Sequence, residues 1–205
     1  MRIIIDGMGG DLAPLERLRG AAEAVRELGV EMIVTGGEAK LRACAGENGI
    51  PLDGITFVDA PRVIPMEAEP TSLLKEYSDC SMAVGMKMAA DGEGDAFVSA
   101  GSTGALLVGA TFLVKRIKGV KRPAIGTMIP AQGGRFYLLC DAGANHDCRP
   151  EMLTQFAVMG SAYYEKIIGT ERPRVGLINI GAEETKGTEL QVACLLYTSD
   201  AADDK

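Results

Sequence analysis

Short apolar runs alternate along this chain with glycine-bearing polar breaks and with longer stretches of helical period. Ile3-Ile4-Ile5 is all β-branched and ends at Asp6, the pattern of a buried strand. After the break Gly7-Met8-Gly9-Gly10-Asp11, Pro14 suits the first position of a helix. Leu15, Leu18, Ala22, Val25 and Leu28 then recur at helical spacing until Gly29 stops the run. Glu31 to Thr35 predicts a second strand, about 38–48 a second helix, and Ile55 to Val58 a third strand. Residues 61–70 carry three prolines and read as a loop. Thr71 to Ala90 predicts a helix with a break near Ser78-Asp79, its methionines 82, 86 and 88 serving as core filling. Ala96-Phe97-Val98 is strand again, followed by small residues and a helix running to about Ile117. Ala124 to Ile129 and Phe136 to Cys140 predict two strands around the turn Gln132-Gly133-Gly134. Pro150 opens a helix to about Ile168, closed by Gly169. Arg174 to Ile180 predicts a last strand, and a further helix starts near Thr188.

Strands that alternate with helices, and that are themselves continuous apolar runs, indicate an α/β fold: a mostly parallel sheet covered by helices on both faces. Ligands of such sheets bind beyond the carboxyl ends of the strands. Polar, glycine-bearing loops follow strands here at 6–11, 99–104, 141–145 and 181–187, and parallel neighbouring strands would bring them to one edge. The stretch Asp95 to Gly109, DAFVSAGSTGALLVG, passes from strand through Ser99-Ala100-Gly101-Ser102-Thr103-Gly104 into a helix. Unpaired N–H groups of a first helical turn, glycine backbone and the hydroxyls of Ser99, Ser102 and Thr103 are donors suited to an anion. A tight turn with a Ser/Thr helix cap accounts for the same residues, since neither the G-x-x-x-x-G-K-[ST] nor the G-x-G-x-x-G pattern is present.

Composition narrows the setting. The chain has 205 residues, enough for one well-filled domain with an appendage, and no apolar run approaches the ~18 residues of a membrane span. MRIIIDGMGG does not have the pattern of a signal peptide. Cysteines 44, 80, 140, 148 and 194 form no C-x-x-C pair, which favours cytoplasmic thiols over a disulfide frame or a zinc site. A net charge of −7 argues against a general nucleic-acid binder. Against that acidic background, Lys115, Arg116, Lys118, Lys121 and Arg122 lie within nine residues that hold no acid.

Several segments together resemble a known family. They are Ile5-Asp6-Gly7-Met8-Gly9-Gly10-Asp11 with Ala13-Pro14, Val98 to Ala105, Arg116-Ile117-Lys118-Gly119 with Arg122-Pro123-Ala124, Asp141 to Asn145 with Asp147-Cys148, and Asn179-Ile180-Gly181 with Glu183-Glu184 and Lys186-Gly187. In this order, over residues 1 to about 193, they are similar to the bacterial phosphate acyltransferase (PlsX) family. Ser102 stands where the family often has Asn, and Cys80 where it often has Ser.

The resemblance implies a Rossmann-like three-layer α/β/α sandwich related to phosphotransacetylases, incomplete at the C-terminus. It implies conversion of acyl-[acyl carrier protein] and inorganic phosphate to acyl phosphate, feeding phospholipid synthesis. It implies no cofactor and no metal, a homodimer when full length, and a cytoplasmic protein that meets the membrane peripherally through the C-terminal part. Acyl transfer from sulfur to phosphate needs no Ser-His-Asp set, because phosphate is already an anionic nucleophile. The site must hold phosphate, place an oxygen near the thioester carbon and stabilise the oxyanion. Gly9, Gly10, Asp11, Ser99, Gly101, Ser102, Thr103 and Gly104 are the expected phosphate and acyl contacts. Asn145, as an amide donor, Lys186, as a countercharge, and Asp6, chiefly as an orienter of the glycine loop, are the candidate catalytic residues. Glu183 and Glu184 would orient Lys186, His146 is more often structural when single, and the cysteines read as packing residues. The basic run 115–122 is a candidate docking patch for the acidic carrier protein, or a solvated helix end. An acetyl- or butyryltransferase using acyl-CoA and a non-catalytic binding subunit are the alternative readings. Residues 1–193 are expected to be the N-terminal part of a single α/β domain, and 194–205 a non-native tail of the kind produced by reading through a sequencing adapter.

Overall fold

A computed structural model describes residues 1–181, 183 and 185–195. The chain falls into two compact units, Met1–Arg116 and Ile117–Lys205.

The first unit is built on a four-stranded parallel sheet of order β3-β2-β1-β4, with β1 at Arg2–Asp6, β2 at Glu31–Gly36, β3 at Ile55–Asp59 and β4 at Ala96–Val98. β1 is interior: Ile4 pairs with Ile33 on one side and with Phe97 on the other. Its β-branched residues alternate between the two faces, as a strand requires. Ile3 and Ile5 join Met32 and Val34 against α1 (Leu15–Leu28) and α2 (Glu38–Glu47), where Leu18, Ala21, Leu41 and Ala45 are buried. Ile4 and Phe97 lie on the opposite face against α3 (Ser81–Ala90), at a place where Gly85 leaves room for the Phe97 ring. A second apolar cluster there joins Leu73, Met82, Ala83, Met86 and Ala105, the last from α4 (Thr103–Gly109). The helices thus cover both faces of a parallel sheet, the α/β arrangement expected from the alternating pattern.

Two expected helices are subdivided. Thr71–Ala90 becomes a 3-10 turn at Pro70–Leu74 and then α3. The break lets Cys80 adopt extended backbone and accept from the N–H of Ala83 at 3.5 Å, so α3 starts with a capped turn. The helix expected to reach Ile117 is α4 followed by a π-helical stretch, Ala110–Lys115, which Lys115 ends at φ 74°.

The second unit contains an antiparallel hairpin of β5 (Gly126–Pro130) and β6 (Phe136–Cys140), with Met128 opposite Leu138. The turn uses Gly133 at φ 73° and Gly134 at φ 69°, a region open to glycine at little cost. α5 (Pro150–Ile168) follows and ends at Gly169 in the left-handed conformation, as its sequence predicts. Gly160 of α5 faces Leu138 of β6, and Phe156 is 1% exposed, a burial worth about 2–3 kcal/mol. A helical turn at 189–195 includes buried Cys194; residues 196–205, the rest of the expected tail, lie outside the described residues.

One expected strand is absent. Arg174 to Ile180 forms no strand, and Val175, Ile178 and Ile180 are 60%, 73% and 87% exposed. A strand exists only by pairing, and no ladder partner engages this apolar run among the described residues.

Candidate functional site

Since β1 and β4 are parallel neighbours, the loops that follow them leave the sheet side by side. Asp6, the last residue of β1, is 1% exposed and joins them. One carboxyl oxygen accepts from the N–H of Met8 at 3.2 Å and from the Ser81 hydroxyl at 2.6 Å. The other accepts from the Ser99 hydroxyl at 2.8 Å, and Ser99 Oγ in turn accepts from the N–H of Gly101 at 3.1 Å. One buried side chain thereby ties the loop after β1, the loop after β4 and the start of α3. Thr35, fully buried on β2, adds a further tie by donating to the Ser81 carbonyl at 2.9 Å.

The glycines serve the approach of these loops. A Cβ on Gly9 would overlap the Asp6 carboxyl and lie 3.0 Å from the Gly101 nitrogen. On Gly10, at φ 88°, it would lie 2.7 Å from the Ala100 carbonyl oxygen. On Gly101 it would meet the Met82 methyl at 2.8 Å, and on Gly104 the Pro70 ring at 2.8 Å. Ser102 caps α4, its Oγ accepting from the N–H of Ala105 at 3.4 Å. Asp11, Ala100 and Thr103 are exposed at the rim of the joined loops. Of the expected phosphate contacts, the structure therefore assembles Gly9, Gly10, Ser99 and Gly101 around Asp6, with Ser102, Thr103 and Gly104 continuing into α4.

Asn145 and Lys186 belong to the second unit. Asp141 accepts there from the N–H groups of Ile125, Ala144 and Asn145 at 2.8, 3.1 and 2.8 Å, and from the Asn145 amide at 2.9 Å. Burial opposes the charge of Asp141, but these bonds outweigh it and hold its carboxyl below the usual carboxylate range. The Asn145 Nδ2 also donates to the Pro123 carbonyl at 2.9 Å. Both amide hydrogens of Asn145 are thus engaged within this unit, where they fix the loop 141–145. Lys186 is exposed; its N–H donates to the Glu183 carbonyl at 3.0 Å and its carbonyl accepts from the Asn179 amide at 2.7 Å. Glu184 lies outside the described residues.

Burial, followed by the nearby Asp141 carboxylate, pushes the Cys140 and Cys148 thiols up; burial does the same to Cys80. These are the opposite of activated thiolates. In the basic run, Lys115 and Arg116 end the first unit, while Lys118, Lys121 and Arg122 open the second. All five are exposed, and Lys121 pairs with Glu151 at 3.0 Å.

Sequence reasoning missed Ser81, Thr35 and Arg17. Ser81 sits beside Cys80, the position where the family often has Ser, and that was the one available signal. Thr35 is the last residue of a predicted strand, and Arg17 lies off the apolar stripe of α1, where its sequence offers no signal. Arg17 is half-buried, and its Nε donates to the Gly9 carbonyl at 3.0 Å.

Comparison with known proteins agrees with this fold. A model of the family described as fatty acid synthesis protein matches residues 1–201. A phosphate acyltransferase of Desulforamulus reducens is 48% identical over 194 residues, covering 94% of this chain and 57% of that protein. One of Thermoanaerobacterium thermosaccharolyticum is 43% identical over 190 residues, covering 93% and 56%. The chain thus spans somewhat more than half the length of these curated relatives. Among solved structures, the EutD phosphotransacetylase from Staphylococcus aureus matches with a TM-score of 0.66 at 22% identity, covering 100% of this chain and 65% of that one. A phosphotransacetylase from Streptococcus pyogenes matches at 0.63 and 21%, covering 83% and 55%. At these identities the likeness concerns the fold alone.

Proposed function

The chain belongs to the fatty acid synthesis protein family, and from that premise we propose that it is part of an acyltransferase that moves an acyl group from acyl-[acyl carrier protein] to inorganic phosphate. A phosphate oxygen attacks the thioester carbonyl carbon, the carbon–sulfur bond breaks, and the carrier leaves as its thiol once a proton reaches the sulfur. The products are acyl phosphate and free carrier protein. Curated relatives at 42–48% identity, named phosphate acyltransferase, support the reaction class. The observation that carries the site is the pair of glycine loops, 7–10 and 99–104, joined through Asp6 at the carboxyl ends of neighbouring parallel strands. That is where an α/β sheet places its ligand, and the loops there are rich in backbone N–H groups and hydroxyls.

In this reading Thr103 and the backbone of 100–104 contact phosphate, with Ser99 and Ser102 shaping the loop, and Asp6 acts as a positioning residue. Asn145 holds its own loop. The basic run 115–122 receives the acidic carrier, and the full-length protein works as a homodimer in the cytoplasm with peripheral membrane contact. Among the described residues no helix is long and apolar enough to cross a membrane. The test is phosphate-dependent release of carrier thiol by the full-length protein, with acyl phosphate trapped as its hydroxamate. Activity with acyl-[acyl carrier protein] well above that with acyl-CoA is expected. The reverse preference makes the protein a phosphotransacetylase-like enzyme, and release without phosphate makes it a thioesterase.

A further inference from the structure

We propose that Arg17 is the phosphate-binding cation of the joined glycine loops, an inference that rests on the reading above and names the residue carrying the positive charge. Three arginines lie on α1, and they are not treated alike. Arg19 pairs with Glu16 at 2.7 Å, and Arg26 pairs with Glu23 and Glu27 at 3.8 and 3.0 Å. Arg17 takes part in none of the ion pairs found among the described residues. It turns instead toward the loop after β1, its Nε donating to the Gly9 carbonyl at 3.0 Å.

Its terminal nitrogen lies over Gly10. A Cβ built there would stand 2.5 Å from that nitrogen and 2.7 Å from the Ala100 carbonyl oxygen. The guanidinium therefore sits at the seam where the two loops meet, half-buried, and among the described residues one of its five N–H donors is engaged and the terminal ones are left over. Partial burial strengthens its field, and the tether at Nε fixes its plane at little further entropy cost on binding. A planar fork of donors suits two oxygens of a tetrahedral oxyanion.

The loops also need such a charge. Asp6 places a carboxyl beneath them and Asp11 another at their exposed rim. Phosphate brings one to two negative charges of its own near neutral pH. Hydroxyls and N–H dipoles orient it, but within the first unit Arg17 is the cation that the structure sets against both loops.

The test is titration of inorganic phosphate into the wild-type chain, Arg17→Met and Arg17→Lys, read by phosphorus NMR line width, with a melting curve for each. Arg17→Met should weaken phosphate binding about ten- to hundredfold, the range for loss of a charged hydrogen-bond pair, and Arg17→Lys should recover part of it. In the full-length protein the phosphate KM should rise while the KM for the acyl donor stays fixed. A purely structural Arg17 would instead lower the melting temperature and shift both KM values together, and Lys would not rescue it. Phosphate affinity unchanged in Arg17→Met, or no phosphate binding by the wild type, overturns the assignment. If the wild type forms acyl phosphate and Arg17→Met binds phosphate normally, only Arg17 is wrong. If Arg17→Met loses phosphate binding from a full-length protein that forms no acyl phosphate, Arg17 stands and the proposed reaction falls.

Discussion

Replacing Asp6 separates a residue that holds the site together from one that performs chemistry on the substrate. Asp6→Ala removes the acceptor of three donors, the Met8 N–H and the hydroxyls of Ser81 and Ser99. An orphaned buried donor costs about 1–3 kcal/mol, and the two hydroxyls can rotate to recover part of it, so a loss of about 3–5 kcal/mol is expected. That is a large share of the ~5–15 kcal/mol that keeps a domain folded. Asp6→Asn keeps one carbonyl oxygen for Met8 and Ser81. Its new NH2 faces Ser99 Oγ, whose second lone pair is open beside the Gly101 bond. The Asn variant should therefore cost about 1 kcal/mol, the worth of one weakened bond. Urea unfolding followed by circular dichroism measures both, with an unchanged slope as the check that the transition is the same. In the full-length protein Asp6→Asn should keep activity within about tenfold, whereas loss of a proton-transferring carboxyl costs about 10²–10⁴-fold. Equal destabilisation by Ala and Asn, or an Asn variant that is stable yet inactive by more than a hundredfold, would refute the positioning role.

Further expectations follow from neighbouring geometry. Gly9→Ala should lower stability by about 1–3 kcal/mol, because its methyl overlaps the Asp6 carboxyl, whereas Gly20→Ala in the open face of α1 should raise it by about 0.5–1 kcal/mol; thermal melts compare the two. Asp141 has a folded pKa below its ordinary 3.8, so its contribution to stability is present above that value and fades as pH falls through the lower folded one. Asp141→Asn should then flatten the acid side of the stability profile, and an unchanged profile would contradict the assignment. Charge reversal at Lys118 and Lys121 should slow association with acyl carrier protein, less so at high salt because the Debye length is about 8 Å at physiological ionic strength. Lys121→Glu also breaks the pair with Glu151, so Lys118→Glu alone is the cleaner kinetic probe. Cys194 is buried in the turn 189–195, so truncation after Leu195 is the form of tail deletion expected to leave the melting temperature unchanged; a large drop would mark the segment as part of the fold.

Strand and helix order was legible because period and punctuation agree locally. Ile3–Ile5, the α1 stripe ending at Gly29 and the α5 run from Pro150 to Gly169 each carry their own boundaries. The break before α3 was legible only roughly, since besides the local cap at Cys80 it depends on Ser81 bonding Asp6, distant in sequence. Arg174–Ile180 misled because an apolar run specifies strand propensity but not a pairing partner. At the site, the glycine loops were visible, but their use was not. Their missing side chains make room for one another and for Asp6 as well as for any ligand, a fact of close approach that composition does not contain. Asn145 was visible as a loop amide, whereas the commitment of both its hydrogens required Asp141 and Pro123 in place. Arg17 carried no signal, because its difference from Arg19 and Arg26 lies entirely in what each one faces.

The claim that the joined glycine loops hold phosphate is tested most directly by titrating inorganic phosphate into nitrogen-15-labelled protein and following assigned backbone amides. The predicted result is a saturable shift of Gly9, Gly10 and the amides from Ala100 to Gly104, with Gly20 and Gly46 unmoved. Shifts confined to residues outside these loops, or no saturable shift at all, would contradict it.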